Sequence, residues 1–243
     1  MRAAAFAKRN AKELLRDPLT MFFGLGFPLV LLGLMTLIQR NVPVHVFELE
    51  FLAPGIALFG CTFMALFSGL LIAKDRTSAF LARLAASPMT AADFLLGYLL
   101  PLLPMAVGQS MVCMAAAVAL GLPLSWNLLA VVACLIPSAL LFIALGLLCG
   151  TLFNDKQVGG VCGAILTNAT AWLAGIWFDL SLVGGAFKAV AYVLPFVHGA
   201  DAARAALAGD WAAVPGHLIW VLAWAALIGG IAAAAFQRKL ARQ

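Results

Sequence analysis

Charged side chains fall along this chain in clusters, separated by long apolar stretches. Between Asp17 and Arg40 lie 22 uncharged residues, between Glu50 and Lys74 23, and between Asp93 and Asp155 61. Lys156 and Asp179 enclose 22 more, Asp210 and Arg238 27. A helix of about 20 apolar residues crosses a bilayer. Each short gap therefore holds one span and the longest holds two. The pattern predicts six spans, near residues 19–38, 54–73, 94–120, 126–153, 158–178 and 215–236. The longest gap turns at Gly121-Leu122-Pro123-Leu124-Ser125, where Gly and Pro break a helix and Ser125 is placed to cap the next.

The segments between spans carry their own patterns. Residues 1–17 wind as an amphipathic helix in the headgroup layer. Arg2, Lys8, Arg9, Lys12, Glu13 and Arg16 fall on one arc; Ala3, Phe6, Ala7, Ala11, Leu14 and Leu15 fall on the other. Arg9 and Glu13 sit at i, i+4. Residues 75–93 hold a short helix from about Thr77 to Ala86, stopped by Pro88. Thr90 and Asp93 then open the third span with a capping-box signature. Residues 179–213 are apolar but too short to span twice. They read as a hairpin of two short helices, near 183–193 and 199–207, with Asp201 and Arg204 on one face. In the fifth span Gly159, Gly163, Thr167, Ala171 and Gly175 recur every four residues, a spacing that lets helices approach closely.

Composition narrows the class. Hydrophobic residues make up 65% of the 243 residues and charged ones 10%, against about 25% charged in soluble domains. A soluble globule and a disordered chain are both excluded. The fold class is an all-α integral membrane protein. Lys and Arg set its orientation. Arg2, Lys8, Arg9, Lys12, Arg16, Lys74, Arg76, Arg83, Lys156, Arg238, Lys239 and Arg242 lie on one side; Arg40, Lys188 and Arg204 lie on the other. Both termini are expected in the cytoplasm of a bacterial inner membrane. This asymmetry also accounts for the net charge of +5, so no nucleic-acid partner is implied.

Catalytic chemistry is sparse. Cys61, Cys113, Cys134, Cys149 and Cys162 all lie in spans, without metal-ligand spacing. His45, His198 and His217 are scattered. No acid or base other than a histidine near one end sits within a span, which argues against a proton relay. The chain contains no Gly-Lys dipeptide and so no P-loop. Any ATP chemistry belongs to another chain.

Three segments carry a family resemblance. Arg83-Leu84-Ala85-Ala86-Ser87-Pro88 resembles the end of a Gly-Thr-Leu-Glu-x-Leu-x-x-Thr-Pro pattern. Leu194 to Arg204 resembles Asn-Pro-Leu-Thr-Tyr-x-x-Asp-x-x-Arg. Ala174-Gly175-Ile176-Trp177-Phe178 resembles Ser-Gly-x-Phe-Phe. In order and spacing the chain is similar to the permease subunit of ABC transporters of the type-2 exporter family. It departs at Ala79, Phe80 and Ala82, where the family pattern has Gly, Thr and Glu, and at Asp179, where it has Pro. The resemblance implies an elbow helix, six spans, a cytosolic coupling helix and an extracellular re-entrant hairpin at 179–213. It implies two ABC-type ATPase subunits as partners, a second copy or a related permease, and ATP and Mg only in the ATPase. Asp75, Arg76, Arg83, Ser87 and Pro88 are the expected ATPase-docking residues. A cargo cavity walled by the first, second and fifth spans draws on Phe22, Phe23, Phe27, Phe59, Phe63, Phe67, Ser68, Thr167, Asn168 and Trp172. Such aromatic walls suit a hydrophobic or amphipathic cargo of drug or antibiotic type. Export of a lipid-linked saccharide and a non-transporting scaffold or sensor are the alternatives.

Overall fold

The computed structural model describes residues 2–41, 48–77 and 90–240. Helix α1 (Arg2–Arg16) buries Phe6, Ala7, Asn10 and Leu14, while Leu15 stays exposed. Its apolar stripe thus lies against protein, not only against lipid. Asp17 separates α1 from α2 (Pro18–Asn41) and caps the latter, accepting from the Leu19 N–H at 3.2 Å and the Thr20 hydroxyl at 2.7 Å. A π-helical turn, Phe22–Gly26, interrupts α2 near its start.

The long helices follow: α3 (Leu49–Thr77), α4 (Ala91–Leu120) and α5 (Asn127–Leu152). The expected capping box opens α4. Asp93 N–H donates to Thr90 Oγ1 at 3.2 Å, and the Thr90 N–H donates back to Asp93 Oδ2 at 3.0 Å. Gly121, with φ 122°, ends α4, and the Leu122 N–H reaches the Ala117 carbonyl at 2.9 Å. Ser125 does not cap α5 through its side chain; Trp126 holds the cap position without a side-chain bond.

Helix α6 covers residues 155–173 as a short α-turn (Asp155–Val158), a π-helical stretch (Gly159–Leu166) and an α-helical end (Thr167–Leu173). The expected fifth span, 158–178, is thereby corrected at its end. Gly175 takes φ 58°, and the Ile176 N–H bonds the Ala171 carbonyl at 3.2 Å, which closes the helix. Gly175 is a helix stop, not the last member of a packing stripe. Among the described residues five helices are long and apolar enough to cross a membrane: Pro18–Asn41, Leu49–Arg76, Ala92–Leu120, Asn127–Leu152 and Val214–Lys239. Helix α6 falls outside that set because Lys156, Gln157, Asn168 and two threonines dilute its apolar residues.

The hairpin consists of a 3-10 turn (Leu180–Leu182), α7 (Gly185–Val193) and α8 (Pro195–Ala208), followed by α9 (Val214–Leu240). Both short helices lie close to the expected positions. Helix α8 packs on α5, α9 and α3, so its backbone is covered by protein.

Helices α3 and α5 form the centre. Their closest crossing sets Ala65, Ser68 and Gly69 of α3 against Gly146 and Gly150 of α5. A methyl group at Gly146 would collide with the Ala65 carbonyl oxygen, and one at Gly150 with that of Gly69. Ser68 Oγ spans the crossing to the Ile143 carbonyl at 3.1 Å. Small residues permit this backbone-to-backbone approach, the main source of helix association in lipid. Helix α4 packs on α3, α5 and α1, and α9 packs on α5 and α8. Helices α2 and α6 are peripheral. The first leans on α3 and α4, the second mainly on α3.

Candidate functional site

On the side of the membrane that carries α1, three elements meet at Asp75. Near the end of α3 its carboxylate is buried, only 3% exposed. Oδ2 accepts from Arg9 Nη1 at 2.8 Å and from the Tyr98 hydroxyl at 2.9 Å. Arg9 also pairs with Glu13 at 3.0 Å. Beside this pair the Phe6 ring fills the notch left by Gly97, edge-on to Tyr98 at 4.9 Å. Asn10 Nδ2 donates to the Gly97 carbonyl at 3.0 Å. Charge-assisted bonds in a buried setting are strong and directional. They bolt α1 to α3 and α4.

Arg76, the next residue, points the other way. Its Nη1 donates to the carbonyls of Gly150 and Thr151, both at 2.6 Å, and of Phe153 at 3.2 Å. Lys239 of α9 adds a bond to the Thr151 carbonyl at 2.8 Å. Two cations thus satisfy the last carbonyls of α5, where the helix dipole favours positive charge. Within the chain the Asp75 carboxylate is thus buried in a joint between helices, and Arg76, partly exposed, is held through Nη1 against the end of α5. Arg83, Ser87 and Pro88, with most of the expected coupling helix, lie outside the described residues, as does His45.

On the opposite side Arg204 forms a second joint. Its Nε donates to the Phe51 carbonyl at 3.2 Å and its Nη2 to the Gly175 carbonyl at 2.7 Å. Asp201 pairs with it at 3.4 Å, and the Phe51 ring lies 3.6 Å from the guanidinium carbon. The start of α3, the end of α6 and helix α8 are locked together by one side chain. Nearby, His198 Nδ1 lies 2.8 Å from His217 Nδ1, and His198 Nε2 lies 3.0 Å from the Tyr192 carbonyl. A carbonyl only accepts, so Nε2 of His198 carries a hydrogen; in the neutral ring its Nδ1 is then the acceptor for His217. These histidines are not scattered; the fold pairs them across α8 and α9. Tyr192 donates to Asp201 Oδ2 at 3.1 Å. Burial and then the Asp201 charge raise the pKa of this phenol above its ordinary value. Asp179, exposed and bonded by the Ser181 N–H at 2.8 Å, has its carboxyl pKa lowered by that bond. Among the described residues no group of three or more His, Cys, Asp or Glu could hold a metal.

The expected cavity residues separate into two sets. Phe22, Phe23, Phe27, Phe59, Phe63 and Phe67 form a continuous series of ring contacts with centroids 5.4–6.4 Å apart, and Trp177 adjoins Phe59 at 6.0 Å. Phe59, Phe63, Phe67 and Ser68 are buried, so within one chain they are packed core rather than an open wall. Phe22 is half exposed at the margin of this cluster, at the π-helical turn. In α6, Thr167 and Ala171 are buried, and Gly163 faces Leu66 of α3 at ordinary contact distance. The small-residue stripe thus seats α6 on α3, although Gly159 has open space around it. Asn168 and Trp172 lie on the exposed side of the same helix with Ile165. The Asn168 amide donates to the Ala164 carbonyl at 2.9 Å, a bond along its own helix.

Sequence reasoning missed two features. Gly146 and Gly150 form a small-xxx-small pair that was readable in the sequence but gave no sign of its partner. Gln109 is fully buried, with Nε2 3.2 Å from Cys113 Sγ, in space that Gly60 leaves open. A lone Gln in a span does not announce which helix makes room for it.

A family model described as "ABC-2 type transporter" matches residues 2–208, which takes in α1 to α8. None of the curated proteins matches the chain.

Proposed function

The chain belongs to the ABC-2 type transporter family, a family of membrane permease subunits of ABC transporters, and from that premise we propose that it is one half of an ATP-driven exporter. It pairs with a second copy or a related permease and with two separate ATPase chains. Its cargo is a hydrophobic or amphipathic small molecule of drug or antibiotic type, moved outward by alternating access across a bacterial inner membrane. One observation supports the paired arrangement above others. Asn168 lies at mid-helix on the exposed face of α6, bonded only along its own helix among the described residues. A polar side chain facing hydrocarbon is costly, so such residues face another helix or a wet cavity. Helices α2 and α6 flank α3 with outward faces free, which suits a surface shared with a second chain.

The joints at Asp75 and Arg76 support a route for coupling. Helix α3 leads directly into residues 78–89, where ATPase docking is expected. A push on that segment reaches α1 through Arg9, α4 through Tyr98, and α5 through Arg76. Rigid helices linked in this way switch as bodies between two packed arrangements. ATP and Mg are held by the partner chains.

The test is purification from native membranes in mild detergent, with intact-mass analysis. Two permease chains with two P-loop ATPase chains are expected. Recovery without any ATPase, under conditions that keep other complexes intact, would favour the scaffold reading instead. Asn168→Leu is expected to lower transport into inside-out vesicles while leaving ATPase co-purification unchanged.

A further inference from the structure

Helices α4 and α5 part near the turn that joins them. The gap is an apolar groove of about 710 Å³. Met111, Met114 and Val118 wall it on one side and Leu129 and Val132 on the other, with Trp126 at its end. Residues 111 to 118 extend roughly 10 Å along α4, which takes the groove from the membrane interface toward the bilayer interior. At the turn the lining changes character. Ser125 borders both this groove and a cleft of about 370 Å³ that Glu50 and Arg204 line. Glu50, Leu122 and Pro123 in turn border a third cleft, of about 440 Å³, that contains Arg40. Among the described residues no ion pair engages Arg40 or Glu50. The Arg204 guanidinium is already committed to Asp201 and to three backbone carbonyls.

We propose that this surface binds one phospholipid with a zwitterionic, ammonium-bearing headgroup: an acyl chain lies in the groove between α4 and α5, the phosphate lies at its mouth near Ser125, and the ammonium beyond it reaches Glu50. An apolar slot of this size holds an alkyl chain. Through Ser125 it adjoins a cleft lined by Glu50, a carboxylate with no ion-pair partner among the described residues. An anionic lipid without an ammonium would meet Glu50 unfavourably, whereas the ammonium of a zwitterionic headgroup meets it favourably. The proposal does not depend on transport, since the surface is complete in one chain.

The experiment uses the purified full-length chain, exchanged into nanodiscs of equal phosphatidylethanolamine and phosphatidylglycerol. It is then returned to detergent, and retained lipid is counted by native mass spectrometry. Wild type is expected to keep one phosphatidylethanolamine in preference to phosphatidylglycerol. A charge-assisted hydrogen bond corresponds to about a tenfold effect or more, so Glu50→Gln is expected to abolish that preference. Ala115→Trp, which fills the groove from its exposed rim, should remove bound lipid of both kinds. Leu227→Trp, on the exposed face of α9, is the folding and lipid-surface control and should retain the wild-type lipid. Equal retention of the two lipids by wild type would overturn the proposal. So would unchanged retention in both Glu50→Gln and Ala115→Trp, or loss of lipid in Leu227→Trp to the same extent.

Discussion

Arg204 holds three helices through a planar fork and a stacked ring, and a lysine reproduces neither geometry. Arg204→Lys is expected to lower stability by about 2 kcal/mol, read as a lower melting temperature in detergent, while Lys188→Arg at the exposed hairpin leaves it unchanged. Tyr192 offers a second residue-scale test. The sequence contains two tyrosines, so Tyr98→Phe leaves Tyr192 as the only phenol in an absorbance titration. Its pKa is raised by burial and by Asp201. The midpoint should lie above the ordinary value of about 10 and fall when Asp201→Asn is added. A raised pKa means the folded state holds the proton more tightly. The contribution to stability is therefore complete below the unfolded value and is lost as pH climbs through the folded one. A midpoint unmoved by Asp201→Asn would remove the carboxylate as a cause.

Among the helices, the α3–α5 crossing and the winding of α6 decide the packing. Gly146 and Gly108 separate close approach from mere flexibility. Gly146→Ala brings a methyl onto the Ala65 carbonyl, and overpacking of this kind costs about 1–3 kcal/mol. At Gly108 no atom lies within 4 Å of an added methyl, so Gly108→Ala should be neutral or stabilise by about 0.5–1 kcal/mol. Equal melting temperatures for the two variants would refute the crossing. In α6 a period of four drifts around an ideal helix of 3.6 residues per turn. The wider π-helical turns reduce that drift, which lets Gly163, Thr167 and Ala171 face α3 together while Asn168 and Trp172 face out. The stripe was legible in the sequence, but its direction was not, because periodicity shows that a face exists and not what lies against it.

For the molecule as a whole, the paired arrangement predicts that Asn168→Cys, in a chain with its five native cysteines replaced, forms a cross-linked dimer in membranes. Leu227→Cys on α9 should cross-link less. Equal cross-linking at both positions would argue against α6 as the shared surface. The sequence by itself determined the all-helical membrane class, the approximate positions of the five apolar spans, the capping box at Thr90 and the two short hairpin helices. Those features rest on local hydropathy, on cap chemistry and on chain length, all of which are written within a few turns of each residue. Tertiary structure decided the rest. It buried the Asp75 carboxylate, laid Arg76 on the last carbonyls of α5, closed the phenylalanines of α2 and α3 into a core, ended α6 at Gly175 and paired His198 with His217. Each of these depends on which distant segment supplies the partner. A carboxylate that reads as an exposed docking group becomes a buried joint once a guanidinium 66 positions away reaches it.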